Sequence, residues 1–395
     1  MKKEVVIVSA VRTPIGSFLG GLSSLSAVQL GSVAIENAFR KIQLDKSLAQ
    51  EVFMGNVIQA NAGQAPAKQV SLGAGLPETA PCTTVNKVCA SGMKAVIIGA
   101  QSIKCEDNNI VVCGGMESMS QTPHYVVNAR KGSKFGDQKL IDGLLRDGLT
   151  DAYELVQMGV FADRCAEKYH ISREEQDEFA VNSYQRAATA WKSGKFNEEV
   201  IPVSVPQKSG EPLTILEDEE YRNINFEKMK QLSPAFQKNG TVTAANASTL
   251  SDGASALILM SAEKAEELNI KPLARIVSYA DASLAPQDFP LAPAKALPLA
   301  LKKAGLSTED IDFYEINEAF STVGVVTSRL LNVSLGKINV NGGAVALGHP
   351  LGNSGSRILV TLINVLKQNQ ARYGAAAICN GGGGASAVVI ENVSN

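Results

Sequence analysis

The sequence predicts an α/β fold made of two similar halves, with a loop-rich segment inserted between them. Three observations support this prediction. Strand-like apolar runs alternate with helix-like stretches in the first third of the chain and again in the last third. In both thirds a buried run ends in a cysteine followed by small residues, at Cys113-Gly114 and at Cys379-Asn380. The middle of the chain is more polar and interrupts the alternation.

The first third supplies the elements of one half. Residues 5–10 form an apolar run that predicts a buried strand, and residues 28–42 place apolar side chains at helical spacing. Residues 51–57 predict a second strand. Residues 94–104 then predict a helix, and residues 110–113 predict a buried strand that ends at glycines.

The last third repeats this plan. The predicted order is a strand at 274–280, a helix at 294–304, a strand at 312–317, a helix at 358–367 and a strand at 375–379. The repeated order indicates that a whole sheet unit was duplicated. On this interpretation Cys89 and Cys379 fall in matching regions of the two units.

The middle segment predicts an inserted domain. The sequence Ser172-Arg-Glu-Glu175 has capping-box spacing and predicts the start of a helix. We therefore divide the chain into a first half at 1–119 and 249–272, an inserted loop domain at 120–248 and a second half at 273–395. Loops carried by a rigid scaffold often bind ligands, which makes the insertion a candidate binding region.

Composition excludes several classes of protein. Among 395 residues, 45% are hydrophobic and 19% are charged, which excludes general disorder. The balance of 37 basic against 39 acidic residues gives no electrostatic reason to expect nucleic acid or an anionic membrane as a partner. The chain has no run of about 18 apolar residues, so no membrane helix is predicted. Six cysteines without a CxxC pair argue against structural zinc and favour a reducing compartment, so we expect a cytoplasmic protein without an export signal.

Cys89 is the first candidate for chemistry. It precedes small residues that open a predicted helix, in NKVCASGMKA. The free N–H groups and partial positive charge of a helix N-terminus favour a thiolate, the nucleophilic form of cysteine. The alternative is that Cys89 is a small buried hydrophobic residue, which is the commoner role of a cysteine.

His349 is the second candidate. It lies among glycines in GGAVALGHPLGNSG, and glycines allow a backbone to approach a ligand closely. The alternative is a turn histidine that bonds local backbone. His124 and His170 lie in polar surroundings and are expected at the surface.

Two strand ends complete the set. Cys379 ends a strand in ICNGGGGAS, and Asn317 ends another in NEAF. Each could instead be an ordinary strand terminus followed by a turn. GxGxxG and GxSxG are both absent, which argues against a dinucleotide loop and a serine-hydrolase elbow. Two thiols, an imidazole and an amide suit acyl transfer through a thioester.

At these residues the sequence resembles the thiolase family. The motifs that carry the resemblance stand in order along nearly the whole chain: VRTPIG, VCASGMKA, CGGMES, NEAF, GGAVALGHPLGNSG and CNGGGGAS. DGLTDAY, GTVTAANAS and DFPLAP resemble the short-chain acetoacetyl-CoA branch. The resemblance implies a thiolase-like fold, with two duplicated halves of five-stranded mixed sheets in a layered α-β-α-β-α arrangement. It also implies the reaction 2 acetyl-CoA ⇌ acetoacetyl-CoA + CoA, with ping-pong kinetics.

The resemblance implies a role for each candidate. Cys89 would be the nucleophile that takes the acetyl group, and His349 would activate it. Cys379 would be the second acid and base, acting on the α-carbon of the substrate. Asn317 would hold a water in one oxyanion hole. The backbone N–H groups of Cys89 and Gly381 would form the other.

The resemblance also implies binding residues. Those expected to contact coenzyme A are Leu149, Gln157, Met158, Arg222, Ser248, Phe289, Ala319 and Phe320. Gln157 departs from the family pattern, which often has histidine there, so affinity and chain-length preference are in question. A potassium ion, as in the mitochondrial-type enzymes, would be held by Tyr184 and the carbonyls of Ala244, Ala245, Ala247 and Val345.

The expected partners are acetyl-CoA, acetoacetyl-CoA and CoA, with no covalent cofactor. The family is usually a homotetramer, in which residues 120–145 would bridge two dimers. The nearest alternative is a broad-range 3-ketoacyl-CoA thiolase of fatty-acid degradation. A non-catalytic CoA-binding scaffold is an alternative of another class, and pairing of Cys89 with Cys379 would allow redox control.

Overall fold

The computed structural model describes residues 3–132 and 134–394. The strands are β1 (Val5–Arg12), β2 (Gly16–Ser17), β3 (Glu51–Gly55), β4 (Cys82–Val85), β5 (Ile110–Ser118), β6 (His124–Val126), β7 (Leu140–Asp142), β8 (Val203–Val205), β9 (Leu213–Ile215), β10 (Ser251–Ser261), β11 (Ala274–Ser283), β12 (Phe313–Ile316), β13 (Tyr373–Asn380) and β14 (Gly384–Asn392). The helices are α1 (Ala27–Lys41), α2 (Pro66–Gly73), α3 (Ser91–Lys104), α4 (Met158–Lys168), α5 (Arg173–Lys192), α6 (Phe226–Met229), α7 (Ala262–Glu267), α8 (Pro293–Ala304), α9 (Ser321–Leu331), α10 (Ala344–Leu347) and α11 (Leu351–Gln368).

The strand order demonstrates the duplication. The first half has the order β4-β3-β5-β10-β1, and the second has β12-β13-β14-β11. In each half the parallel pairs (β3 with β4 and β5, and β12 with β13) are followed by antiparallel ones. The two halves join edge to edge where β1 pairs with β11 over two residues, so that all these strands form one continuous sheet.

The predicted α/β duplication is confirmed, with one difference in strand count. The first half has the five strands expected. The second has four, and the position equivalent to β4 is reduced to a single parallel bridge between Tyr314 and Ile338. Ile338 follows a short 3₁₀ turn (Leu335–Lys337) and precedes Asn339 at a positive φ of 47°, so the backbone is extended too briefly to form a ladder.

Alternation along the strands produces the layers. Val5 and Ile7 point into a central layer, whereas Val6 and Val8 point to the opposite face of β1. In the central layer α3 and α11 pack against each other and against both halves of the sheet. Helices α1 and α2 cover the outer face of the first half, and α8 covers that of the second. This is the α-β-α-β-α layering that the resemblance implies.

The predicted elements of both thirds are present, and their bounds shift by a few residues. Two long strands, β10 and β14, were not predicted from the sequence. Both are buried along their whole length, so they lack the polar-apolar alternation that marks a half-exposed strand. The strand predicted at 110–113 continues through Gly114 and Gly115 to Ser118.

The middle segment contains α4, α5, α6 and two small hairpins, β6-β7 and β8-β9. The capping box predicted at Ser172 is present. The Glu175 backbone N–H donates to Ser172 Oγ at 3.2 Å, and the Ser172 N–H donates to Glu175 Oε2 at 3.0 Å. Among the described residues, no helix combines the length and the apolar character needed to cross a membrane.

Candidate active site

A largely apolar cleft of about 740 Å³ lies where the two halves meet the middle segment. The sequence-predicted residues that line it are Cys89, Leu149, Gln157, Met158, Ser248, Phe289, Ala319, Phe320, His349, Cys379 and Gly381, together with Ala247. Residues far apart in the chain therefore converge on one cleft, and three of them carry reactive groups.

A tight turn presents Cys89 at the start of α3. Ser91 Oγ donates to the Val88 carbonyl at 2.6 Å and accepts from the Lys87 N–H at 2.8 Å. Val88 has a φ of 48°, in the left-handed region that a β-branched residue rarely adopts. Such a conformation costs roughly 1–3 kcal/mol and persists only where the surrounding structure enforces it. The strained backbone at Val88 thus helps to fix the position of Cys89.

The Cys89 thiol is harder to ionise than its place at a helix N-terminus suggests. One side of the residue reaches the cleft, but burial raises the pKa of the Cys89 thiol to about 12. The backbone N–H groups of Gly381 and Cys89, which donate to the sulfur, oppose this shift without reversing it. The helix N-terminus favours the thiolate, but it does not outweigh burial, so the thiol needs a base.

His349 is the candidate for that base, and its contacts fix the ring. Its backbone N–H donates to the Thr249 carbonyl at 3.0 Å, and its ring Nδ1 lies 2.6 Å from Ser354 Oγ. Ser354 Oγ donates to the Pro350 carbonyl at 3.0 Å, which leaves a lone pair to accept a proton from Nδ1. Nε2 is then the unprotonated nitrogen, and it has no hydrogen-bond partner in the described part of the chain.

Burial keeps this imidazole neutral. Burial, with a smaller contribution from the positive charge of buried Arg357, lowers the pKa of His349 to about 3. A neutral ring leaves the Nε2 lone pair free, which is the form that a general base requires.

Cys379 and Gly381 lie at the end of β13 and just beyond it. The Cys379 side chain is buried, and both burial and the charge of a Cys89 thiolate raise the pKa of the Cys379 thiol. The two thiols are therefore not ionised together, because a negative charge on one disfavours a negative charge on the other. Gly381 contributes its backbone N–H at the Cys89 sulfur.

Asn317 is placed differently from the other candidates. It follows β12 and is buried, but it does not line the cleft. Its Nδ2 and Oδ1 have no partner among the described residues. The next residue, Glu318, is fixed by Ser183 Oγ at 2.8 Å, Asn339 Nδ2 at 2.8 Å and the Val345 N–H at 3.0 Å. A buried amide with free donors and acceptor can bind an ordered water.

Strand register corrects the matching of the two thiols. Cys89 lies two residues before α3, as His349 lies two residues before α11. Gly55 at the end of β3 pairs with Gly115, and Ile316 at the end of β12 pairs with Ala377. Glu117 lies two residues after Gly115, and Cys379 lies two residues after Ala377, so these two residues occupy equivalent positions in the two halves. The interpretation that placed Cys89 and Cys379 in matching regions was therefore wrong.

The residues expected to bind coenzyme A mostly lie along the cleft. The aromatic rings of Phe236, Phe289 and Phe320 pack edge to face around one wall. Ser248 Oγ donates to the Ala319 carbonyl at 2.9 Å, which joins the insertion to the second half. Arg222 does not line the cleft, and its guanidinium pairs with Glu217 and lies over the Tyr221 ring.

Only some of the residues expected around potassium lie close together. Tyr184, Ala245 and Val345 belong to one buried cluster, and Ala244 lines a shallow pocket beside Tyr184. Ala247 faces the main cleft instead. In the described ranges no group of three acidic, histidine or cysteine side chains could hold a metal. A site formed by carbonyl oxygens would not require such a group.

Several lining residues were missed by sequence reasoning. They are Val88, Met119, Gly148, Gly159, Phe236, Thr249, Leu250, Leu351 and Asn380. Most are apolar residues with no chemical signature. Ser354, which orients His349, stands in a motif that the sequence analysis quotes, so its hydroxyl five residues after a histidine was a usable signal.

The ionisation of Cys89 can be measured directly. We expect the rate of Cys89 alkylation by iodoacetamide to rise about tenfold for each pH unit between 7 and 10, because only the thiolate reacts and its pKa is about 12. Peptide mass spectrometry would separate Cys89 from exposed Cys105. A plateau below pH 9 would contradict the raised pKa.

Comparisons with known proteins agree on one family. The thiolase N-terminal domain matches residues 5–263, and the thiolase C-terminal domain matches residues 270–392. An acetyl-CoA acetyltransferase of Schizosaccharomyces pombe is 54% identical over 99% of both chains. A human mitochondrial acetyl-CoA acetyltransferase is 54% identical, over 99% of this chain and 91% of its own length. A cytosolic one from Gibberella zeae is 53% identical over 98% of both.

A solved structure extends this agreement to the fold. The Acat5 thiolase of Ascaris suum, determined in complex with coenzyme A, superposes with a TM-score of 0.94 at 48% identity, covering 99% of this chain and all of the other. The duplicated fold and these relatives define an acyltransferase. The chain belongs to the thiolase family.

Proposed function

We propose that the chain is an acetyl-CoA C-acetyltransferase, which converts two acetyl-CoA into acetoacetyl-CoA and CoA and catalyses the reverse thiolysis. The observation that carries the proposal is the convergence of Cys89, His349 and Cys379 on one apolar cleft. The relatives named acetyl-CoA acetyltransferase, which match the chain over nearly its full length, support it.

In the first half-reaction His349 Nε2 takes the proton of Cys89, and the thiolate attacks the thioester carbonyl of acetyl-CoA. The N–H groups of Cys89 and Gly381 already point at the nucleophilic sulfur, so they can donate to the oxyanion that develops on the adjacent carbon. The tetrahedral intermediate expels CoA thiolate, which takes the proton from His349. Acetyl-Cys89 and free CoA remain.

In the second half-reaction the proton of Cys379 passes to His349, and the thiolate of Cys379 removes the α-proton of a second acetyl-CoA. The enolate oxygen is held by His349 and by a water on Asn317. The enolate carbon attacks acetyl-Cys89, the new C–C bond forms, and Cys89 leaves as a thiolate that recovers the proton from His349. The raised pKa of both thiols fits this order, because each stays protonated until the step that needs it.

Packing around Cys89 favours a short acyl group. Met119, Leu144 and Leu351 form a buried cluster against which Cys89 packs. A long 3-ketoacyl chain that extended toward this cluster would meet these side chains. This favours the short-chain enzyme over the broad-range alternative.

The proposal is tested by CoA-dependent loss of acetoacetyl-CoA beside 3-ketohexadecanoyl-CoA. We expect kcat/KM to be at least about 10-fold higher for the short substrate. Fitting a longer acyl chain into a closely packed site costs about a few kcal/mol. Equal or faster cleavage of the long substrate would indicate the degradative thiolase. Binding of CoA without cleavage of either substrate would indicate a scaffold.

The proposal includes a potassium ion as an activator. The closeness of Tyr184, Ala245 and Val345 supports it, since neutral oxygen ligands suit a weakly charged cation. We expect the rate to fall when sodium replaces potassium at constant ionic strength. Equal rates in the two salts would count against the site.

Three further assignments belong to the same proposal. We divide the chain at 1–119 with 249–272, 120–248 and 273–395, and assign coenzyme A binding, including phosphate contact by Arg222, to the middle domain. We also propose a homotetramer bridged by residues 120–145. The six free cysteines suit a reducing compartment, which we take to be the cytoplasm.

A further inference from the structure

We propose that Glu117 is a positioning residue for His349, acting across the boundary between the two halves. The inference rests on the proposed function and assigns the placement of the base to a carboxylate of the first half. Glu117 lies near the end of β5, is fully buried and does not line the cleft.

Four donors surround the Glu117 carboxylate. Oε1 accepts from Asn56 Nδ2 at 2.8 Å and from the Ile58 N–H at 3.2 Å. Oε2 accepts from the Val57 N–H at 3.0 Å and from the Gly352 N–H at 2.8 Å. Three of these donors belong to the loop after β3, and the fourth belongs to the first turn of α11. The carboxylate therefore joins the end of one strand to the helix that follows His349.

The bond to Gly352 comes from a favourable position. Gly352 is the second residue of α11, where backbone N–H groups have no partner within the helix. A carboxylate at this end also interacts favourably with the helix dipole. His349 is three residues earlier, just before the helix begins, so fixing Gly352 restricts the backbone that carries the imidazole.

Close packing makes this contact restrictive. A Cβ added at Gly352 would lie 2.7 Å from the Met116 carbonyl, and one added at Gly115 would lie 2.1 Å from the Gly352 carbonyl. The first turn of α11 is thus pressed against the backbone of β5. In such close packing the turn has little free space, so a change in how Glu117 bonds Gly352 is transmitted to the backbone of α11.

The duplication supports a specialised role. Glu117 occupies the register position that Cys379 occupies in the second half. There the side chain is a reactive thiol at the cleft, whereas here it is a carboxylate buried among amide donors. The same strand end is used for chemistry in one half and for fixing the base in the other.

The test is steady-state thiolysis of acetoacetyl-CoA by Glu117→Gln, beside thermal unfolding. A glutamine keeps the shape but turns an NH₂ group toward N–H donors. We expect kcat to fall about 10–100-fold with KM within about twofold, because a base displaced by ~1 Å loses that much. Glu51→Gln, at the opposite end of the neighbouring strand, bonds Asn108 and Ser102 but not α11, and should retain wild-type kcat.

A second variant keeps the inference testable if Glu117→Gln does not fold. Asn56→Ala removes one donor and leaves the Gly352 bond, and we expect a loss of about 3–10-fold in kcat with unchanged KM. A folded Glu117→Gln with kcat within twofold of wild type would overturn the inference. If that variant does not fold, an unchanged kcat in Asn56→Ala would overturn it. Inactive wild-type protein would instead refute the proposed function.

Discussion

Replacing Cys89 with alanine is expected to lower kcat for acetoacetyl-CoA thiolysis by about 10⁴-fold or more, with little change in melting temperature. The proposed reaction has no covalent intermediate without this sulfur, and removal of a nucleophile typically costs that much. The fold should tolerate the change, because Cys89 is only partly buried and the strained turn is held by Ser91 and Val88 backbone bonds.

Cys105→Ala is the matched control. Cys105 caps the opposite end of the same helix, α3, and is exposed. We expect its turnover to equal that of the wild type. Incubation with acetyl-CoA followed by mass spectrometry should show an acetyl group on the wild type and on Cys105→Ala only. Retained acetylation in Cys89→Ala would place the nucleophile elsewhere.

Replacing Cys379 with alanine is expected to separate the two half-reactions. Acetylation of Cys89 by acetyl-CoA should continue, since His349 and the Gly381 N–H remain. Condensation and thiolysis should fall by about 10²–10⁴-fold, which is the usual contribution of a positioned acid or base. The measurement is one acetyl group transferred per enzyme in a single burst, followed by negligible turnover.

Cys82→Ala provides the comparison for this variant. Cys82 lies on β4, outside the cleft, and among the partners described its thiol bonds only the Ala80 carbonyl. It should show both the burst and full turnover. If Cys379→Ala lost the burst as well, Cys379 would act in the first half-reaction, and if it kept full turnover, another group would serve as the second acid and base.

Much of the fold could be predicted from the sequence because its apolar runs are short and end in glycines. The repeated order of strands and helices follows from those signals. The strands β10 and β14 could not be predicted in the same way, since a strand buried on both faces has no alternation to detect. The register between the halves was also hidden, because it depends on backbone pairing and not on residue type.

The candidate reactive groups were predicted from residue type and strand-end position, and their roles from motif resemblance, and the structure brings Cys89, His349 and Cys379 to one cleft. What the sequence did not reveal is the physical state of those groups. The position of Cys89 before a helix predicts a thiolate, but burial outweighs the helix and keeps the thiol protonated. Likewise, nothing in the CGGMES motif marks Glu117, whose bond to Gly352 arises only when β5 meets α11.

Because the two halves are joined edge to edge, the candidate site is formed by residues of both copies of the repeat. The first half contributes Cys89 and the carboxylate at Glu117, and the second contributes His349 and Cys379. Neither copy expressed alone would contain all of the groups that the proposed reaction uses. After such a duplication the two copies are no longer interchangeable, and each can diverge only in ways that preserve what it supplies to the other.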